Sequence, residues 1–186
     1  MASSALIKWN TRYAQAGRKI PTPPAALIAA VPYLRPGKLL DIACGEGAVA
    51  LFLAQLAQFE VSALDISDIG LANLEQFAKD KNLHLSTLCV DLDGQGVDQL
   101  AKFENICIFR YKPSVDLILK LSDKLTFGGR LIISTFNQRQ HIEHGFASRF
   151  CLQDHEFDDV GADLEPLAYI RSNSAPFTDT YIFQKI

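Results

Sequence analysis

Hydrophobic residues recur at two different periods along this chain. Over residues 3–16 they fall at helical spacing and stop at Gly17, after which GRKIPTPP reads as a surface connection opening a second helix at Pro23 or Pro24. From Lys38 the pattern changes. Short apolar runs at 39–42, 61–64, 83–90, 106–109 and 131–135 alternate with amphipathic segments near 48–58, 68–80, 97–102 and 114–125. Alternation of this kind requires crossover connections, and so predicts an α/β fold: a doubly wound, mostly parallel sheet with helices on both faces. The end of the chain departs from it. LEPLAYIRS and FTDTYIFQKI are strand-like runs joined by the turn-rich NSAP, which predicts a closing antiparallel hairpin. Residues 137–159 carry the weakest pattern.

Composition narrows the picture. A chain of 186 residues, 48% of them hydrophobic, fills one core, so a single domain is expected. A net charge of −3 gives no global field to gather polyanions, which argues against a nucleic-acid partner. MASSALIKWN lacks the apolar core of a secretory signal, and AALIAAV is far shorter than a membrane span. The expectation is a soluble, cytoplasmic protein with no membrane partner. Four cysteines without a CxxC pair indicate reduced thiols, and HIEHG, with His141 and His144 but no third ligand, makes a poor metal site. His84 is read as a structural residue within the third strand.

Candidate chemistry concentrates in KLLDIACGEGAVALFLAQL, where Asp41, Gly45 and Gly47 stand between an apolar run and an amphipathic helix. Paired glycines there point to a sharp turn or to a close approach by a ligand. In an open parallel sheet, ligands bind beyond the carboxyl ends of the strands, where this loop would lie. GEGAVA also satisfies G-x-G-x-x-A, so a nicotinamide-dependent oxidoreductase is one rival. A dinucleotide pyrophosphate, however, would be repelled by Asp41 and Glu46. A ligand bearing an ammonium and a sulfonium suits these acids better. Cys44, near the helix start, is read as a small residue filling the turn rather than as a nucleophile.

LLDIACGEG resembles the first motif of class I S-adenosylmethionine-dependent methyltransferases, and the resemblance continues in register. VSALDIS resembles the end of their second strand, whose acid takes the ribose hydroxyls; that implies Asp65, with Ile66 beside it. LCVDLDG resembles the segment whose acid approaches the adenine amino group, implying Asp91 and Leu92, and FGGRLIISTF resembles the turn into strand five, with Phe127 in place of a common proline. KWNTRY resembles the opening of small bacterial methyltransferases of the tellurite-resistance type, related in layout to thiopurine methyltransferases. The resemblance implies a seven-stranded sheet, with residues 1–36 as a helical lid over a core of 37–186. It also implies S-adenosylmethionine as cofactor, held by Asp41, Ala43, Cys44, Gly45, Gly47, Asp65, Ile66, Asp91, Leu92 and Phe109, with Trp9, Arg12 and Tyr13 covering its methionine end. An ordinary apolar stripe packing the first helix down is the alternative reading of Trp9 and Tyr13.

Methyl transfer from a sulfonium needs alignment more than covalent help, so no triad is expected. In FRYKPS, Arg110 and Tyr111 stand where the acceptor would be met. With Lys112, Arg139, His141, His144 and Arg149 they suggest a basic rim for a small, anionic acceptor such as a tellurite- or selenite-type oxyanion; solvated surface charge is the alternative. A non-catalytic cofactor-binding or scaffold protein is the third functional class the sequence leaves open.

Overall fold

The computed structural model describes residues 3–17 and 19–186; Met1, Ala2 and Arg18, which fall in the amino-terminal stretch and the GRKIPTPP connection read above, lie outside the described residues. Two helices, α1 (Ser4–Gln15) and α2 (Ala25–Ala30), precede the first strand. Five strands then run parallel: β1 (Gly37–Ile42), β2 (Phe59–Asp65), β3 (Ser86–Cys89), β4 (Phe103–Phe109) and β5 (Leu125–Phe136). The helices α3 (Ala48–Leu53), α4 (Asp68–Asp80) and α5 (Val115–Ser122) lie between them. After β5 come α6 (Gln138–His144) and the antiparallel pair β6 (Leu164–Arg171) and β7 (Thr178–Lys185), with β7 inserted between β5 and β6. The resulting order is β3-β2-β1-β4-β5-β7-β6 in one seven-stranded sheet, as expected. The strand order reverses between β1 and β4, so the connections leaving those two strands turn to opposite faces of the sheet, towards α3 and α5, and leave a crevice between them.

Both faces of the sheet are covered. Leu40, Ile42, Ile106, Ile108, Leu131 and Ile133 pack with α5 on one side, and Leu39, Val61, Ala63, Cys107 and Ile132 pack with α2, α3 and α4 on the other. Full burial of an aliphatic side chain contributes about 1.5–3 kcal/mol, so this near-continuous apolar register fixes the central strands. Leu27 and Ala30 of α2 are fully buried in the second layer, so of the two amino-terminal helices α2 belongs to the core and α1 stands outside it.

Several predicted bounds move, for physical reasons. The third strand shrinks to Ser86–Cys89 because it is an edge strand paired only with β2; Leu83 and Leu85 pack from the preceding loop, and His84 lies in that loop, exposed, rather than within a strand. The segment near 97–102 is a 3-10 turn, Gln95–Gln99, flanked by Gly94 and anchored by buried Val97. Residues 137–159 are more ordered than their pattern suggests. Asn137 caps α6 by accepting from Arg139 N–H, and Cys151, Leu152 and Phe157 are buried.

Candidate active site at the carboxyl edge of the sheet

The loop leaving β1 passes three times through left-handed backbone, at Ala43 (φ 54°), Gly45 (φ 57°) and Gly47 (φ 80°). Glycine adopts such angles freely, whereas Ala43 adopts one against its Cβ. These turns bring backbone donors onto two buried acids. Asp65 Oδ2 accepts from Gly45 N–H (2.7 Å), Asp65 Oδ1 accepts from Ser67 N–H (2.8 Å), and Asp41 Oδ2 accepts from Ala50 N–H (3.1 Å). Ser67 in turn caps α4 by accepting from Gly70 N–H, so the capping is done by Ser67 and not by Asp65.

A Cβ on Gly45 would lie 2.5 Å from the Tyr13 hydroxyl oxygen, and one on Gly70 would lie 2.9 Å from the Tyr13 ring. Both glycines therefore admit Tyr13 over the loop. Gly47 does something else: a Cβ there would overlap Leu74, so this glycine lets α3 begin against α4. It does not border the cavity, which corrects its expected place among the ligand-contacting residues.

Docking of α1 is polar. Asn10 Nδ2 donates to Asp68 (2.7 Å), Ser67 Oγ donates to Asn10 Oδ1 (2.6 Å), and Asn73 Nδ2 reaches both Tyr13 O (3.4 Å) and Glu46 (2.8 Å). Trp9 and Tyr13 do stack, with ring centroids 5.7 Å apart, but α1 has no buried residue, so an apolar stripe is not what holds it.

Beneath α1 lies a cavity of about 700 Å³. The expected cofactor residues Arg12, Tyr13, Asp41, Ala43, Cys44, Gly45, Asp65, Ile66, Asp91, Leu92 and Phe109 border it, as do Trp9, Arg110 and Tyr111. Phe136, Gln140, Phe146 and Pro176 also border it and escaped the sequence reading. The Asn137 cap directly after an apolar run was the one signal for the α6 portion.

Burial controls the ionisation of the floor. It pushes the Asp41 carboxyl up to about 8, opposed by the Ala50 N–H and reinforced by the Asp65 carboxylate. Asp65 is also raised by burial, with the Ser67 and Gly45 N–H groups pulling against it. Burial, with Asp41 and Asp65 close by, drives the Cys44 thiol well above its usual range, the opposite of an activated nucleophile. Tyr111 is held as a phenol by burial and by the Asp93 and Asp91 carboxylates.

The expected basic rim does not assemble. Lys112 donates to Glu156 (2.8 Å) and to Cys151 O (2.9 Å), while Arg139 pairs with Glu143 and lies 4.0 Å over the Phe177 ring. Arg149 lies over Phe150, His141 Nδ1 hydrogen-bonds with Phe146 O, and His144 packs on Phe177. These five groups hold segment 137–159 together, and none borders the cavity. Arg110 alone of that set does. It is exposed, with a left-handed φ of 60° and its N–H bonded to Ser134 O (2.8 Å).

Comparison with known proteins agrees with the fold. A family model described as tellurite resistance protein TehB matches residues 10–174. The probable S-adenosyl-L-methionine-dependent methyltransferase TehB of Haemophilus influenzae (strain 10810) is 23% identical over 147 residues, which is 77% of this chain and 51% of that protein. The chain thus spans about half the length of the curated relatives it matches. Among solved structures, TehB from Haemophilus influenzae superposes with a TM-score of 0.70 at 16% identity, covering 96% of this chain and 67% of that one. The N-methyltransferase NodS from Bradyrhizobium japonicum WM9, solved with S-adenosyl-L-homocysteine, gives 0.73 at 14% identity over 98% and 99% of the two chains.

Proposed function

Because the chain belongs to the TehB tellurite-resistance family, we propose that it is an S-adenosylmethionine-dependent methyltransferase acting on a small acceptor, either a chalcogen oxyanion or a small organic molecule. The observation that carries this reading is the charge of the cavity lining: five acids, Asp41, Glu46, Asp65, Asp91 and Asp93, against two cations, Arg12 and Arg110. That acid excess suits a ligand with an ammonium, a sulfonium and ribose hydroxyls, and opposes a dinucleotide pyrophosphate.

When bound, S-adenosylmethionine supplies a methyl group already activated on sulfur. Asp41, on the floor of the loop, would hold its ammonium, the Asp41 proton passing to water. Asp65, fixed by two backbone donors, would offer its remaining lone pairs to the ribose hydroxyls. Ile66, Leu92 and Asp91 would hold the adenine. Gly45 and Cys44 form the close backbone surface, and α1, through Trp9, Arg12 and Tyr13, closes over the methionine end and excludes water. Phe109, Arg110 and Tyr111, leaving β4 across the crevice, meet the acceptor. The chain's contribution is alignment in a dry cavity, which supplies several kcal/mol of barrier lowering.

A thermal-shift panel tests the reading. S-adenosylhomocysteine at about a hundred times its Kd should stabilise the fold by about 2.7 kcal/mol, while NAD and NADP should leave the melting temperature unchanged. The reverse ranking would remove the methyltransferase assignment in favour of the nicotinamide one, and binding without transfer over an acceptor panel would leave a cofactor-binding protein.

A further inference from the structure

The polarity of the cavity wall changes where the strand order reverses. On the β1-β2-β3 side every charged side chain of those strands and their loops that borders it is an acid: Asp41 in β1, Glu46 after it, Asp65 at the end of β2, and Asp91 and Asp93 after β3, with Ala43, Cys44, Ile66 and Leu92 among them. Across the switch point, on the β4-β5-β7 side, the lining is mainly aromatic: Phe109, Tyr111, Phe136 and Phe146, with Pro176 and Gln140 of α6 beside them. Phe136 and Phe146 pack ring against ring at 4.3 Å, and the Gln140 carboxamide is fixed by accepting from Phe177 N–H (2.9 Å). Among the described residues Arg110 is the single cation lining that side, and it is exposed.

An oxyanion needs several converging donors or cations to replace its hydration, and this wall offers ring faces instead. Ring faces and a neighbouring carboxamide recognise a planar molecule by offset stacking and one oriented hydrogen bond. From this division we infer that the methyl acceptor is a planar aromatic organic molecule rather than a chalcogen oxyanion, stacked on Phe136 and Phe146 and oriented by Gln140. The inference rests on the methyltransferase reading above and names its acceptor. In the transfer, a lone pair on a ring-borne nitrogen or sulfur forms the new bond to the methyl carbon and the methyl–sulfur electron pair stays on sulfur; a thiol or amine acceptor then loses its proton to water, whereas a ring nitrogen without a proton ends as the methylated cation.

The test is calorimetry on the full chain saturated with S-adenosylhomocysteine, titrated separately with isoquinoline, thiophenol and sodium tellurite. Isoquinoline or thiophenol should bind and tellurite should not. Phe136→Leu and Phe146→Leu keep the wall apolar but remove a ring, and each should weaken the aromatic probe roughly tenfold while leaving S-adenosylhomocysteine affinity unchanged. Unchanged cofactor affinity also reports that the variants are folded. Binding of tellurite without either aromatic probe, no probe binding at all, or aromatic binding indifferent to both substitutions overturns the inference and leaves the methyltransferase reading intact. Failure of S-adenosylhomocysteine itself to bind removes that reading, and the inference with it.

Discussion

Replacing Asp41 by asparagine separates two effects that its carboxyl has on this fold. The side chain is 1% exposed, accepts one backbone hydrogen bond, and has its pKa raised from the ordinary 3.8 to about 8. A group raised in the folded state stabilises fully below its unfolded pKa, and that stabilisation is lost as pH rises towards the folded value. Between pH 5 and 7 the unfolded chain therefore carries this carboxylate ionised while the folded chain keeps it protonated. Each pH unit then costs the fold about 1.4 kcal/mol through this one group. Asparagine keeps an acceptor for Ala50 N–H and does not titrate. Whatever constant cost its amide brings, the stability difference between Asp41→Asn and wild type should move in the variant's favour by about 1.4 kcal/mol per unit over that window. Asp65 is raised in both proteins and cancels in the difference. Urea unfolding at pH 5, 6 and 7 measures it. Cofactor affinity supplies the second readout. If the carboxylate pairs with an ammonium, wild-type binding should tighten by up to roughly tenfold per pH unit from 6 to 7 and release a proton, and the variant should lose that dependence. Parallel stability curves for the two proteins would refute the reasoning, since they would mean that Asp41 is ionised in the empty fold.

Three further substitutions probe the rest of the site. Asp65→Ala should weaken S-adenosylhomocysteine binding by about 1.5–3 kcal/mol in calorimetry, and should also lower the melting temperature because the Gly45 and Ser67 N–H groups lose their acceptor. Unchanged affinity would leave Asp65 with the loop alone. Gly47→Ala should destabilise by roughly 1–3 kcal/mol through its left-handed φ and the clash with Leu74, and Leu74→Ala added to it should cost less than the separate effects combined; additive losses in a denaturant double-mutant cycle would contradict the contact. Asn10→Ala removes the bonds to Ser67 and Asp68, so protease cleavage within α1 should quicken and cofactor binding should weaken by about 1–2 kcal/mol, whereas equal rates would show that α1 is held otherwise.

Legibility in the sequence followed the physics of each part. The central strands β1 and β4 are buried on both faces over residues 39–42 and 106–109, so their apolar runs mark their carboxyl ends to the residue, while their more polar first residues, from Gly37 and Phe103, fell outside the runs. The turn and the acids that border the cavity, Gly45, Asp41 and Asp65, were equally readable as a cluster, because turns that need glycine and acids at strand ends leave fixed spacings. What failed did so where the cause is tertiary. Gly47 looked like a ligand-facing glycine, but the side chain that demands it, Leu74, lies 27 positions away. Lys112 looked free, but its partner Glu156 lies 44 positions on. The aromatic wall was invisible because Phe136, Phe146 and Pro176 come together only when β7 inserts beside β5.

The way α1 is fastened sets a clock for the site. With no fully buried side chain, its hold on the body of the protein consists of the Asn10 and Asn73 bonds and the Tyr13 ring lying against Gly45 and Gly70. At about 1 kcal/mol for each of three such bonds, local detachment costs about 3 kcal/mol, so of order one molecule in a hundred is open at any instant. Global unfolding, at some 5–15 kcal/mol, is far rarer. Amide protons of α1 should therefore exchange orders of magnitude faster than those of β1 and β4, and a bound cofactor should slow the former selectively. In the proposed reaction, exchange of spent for fresh cofactor would proceed through such partial openings, without disturbing the sheet.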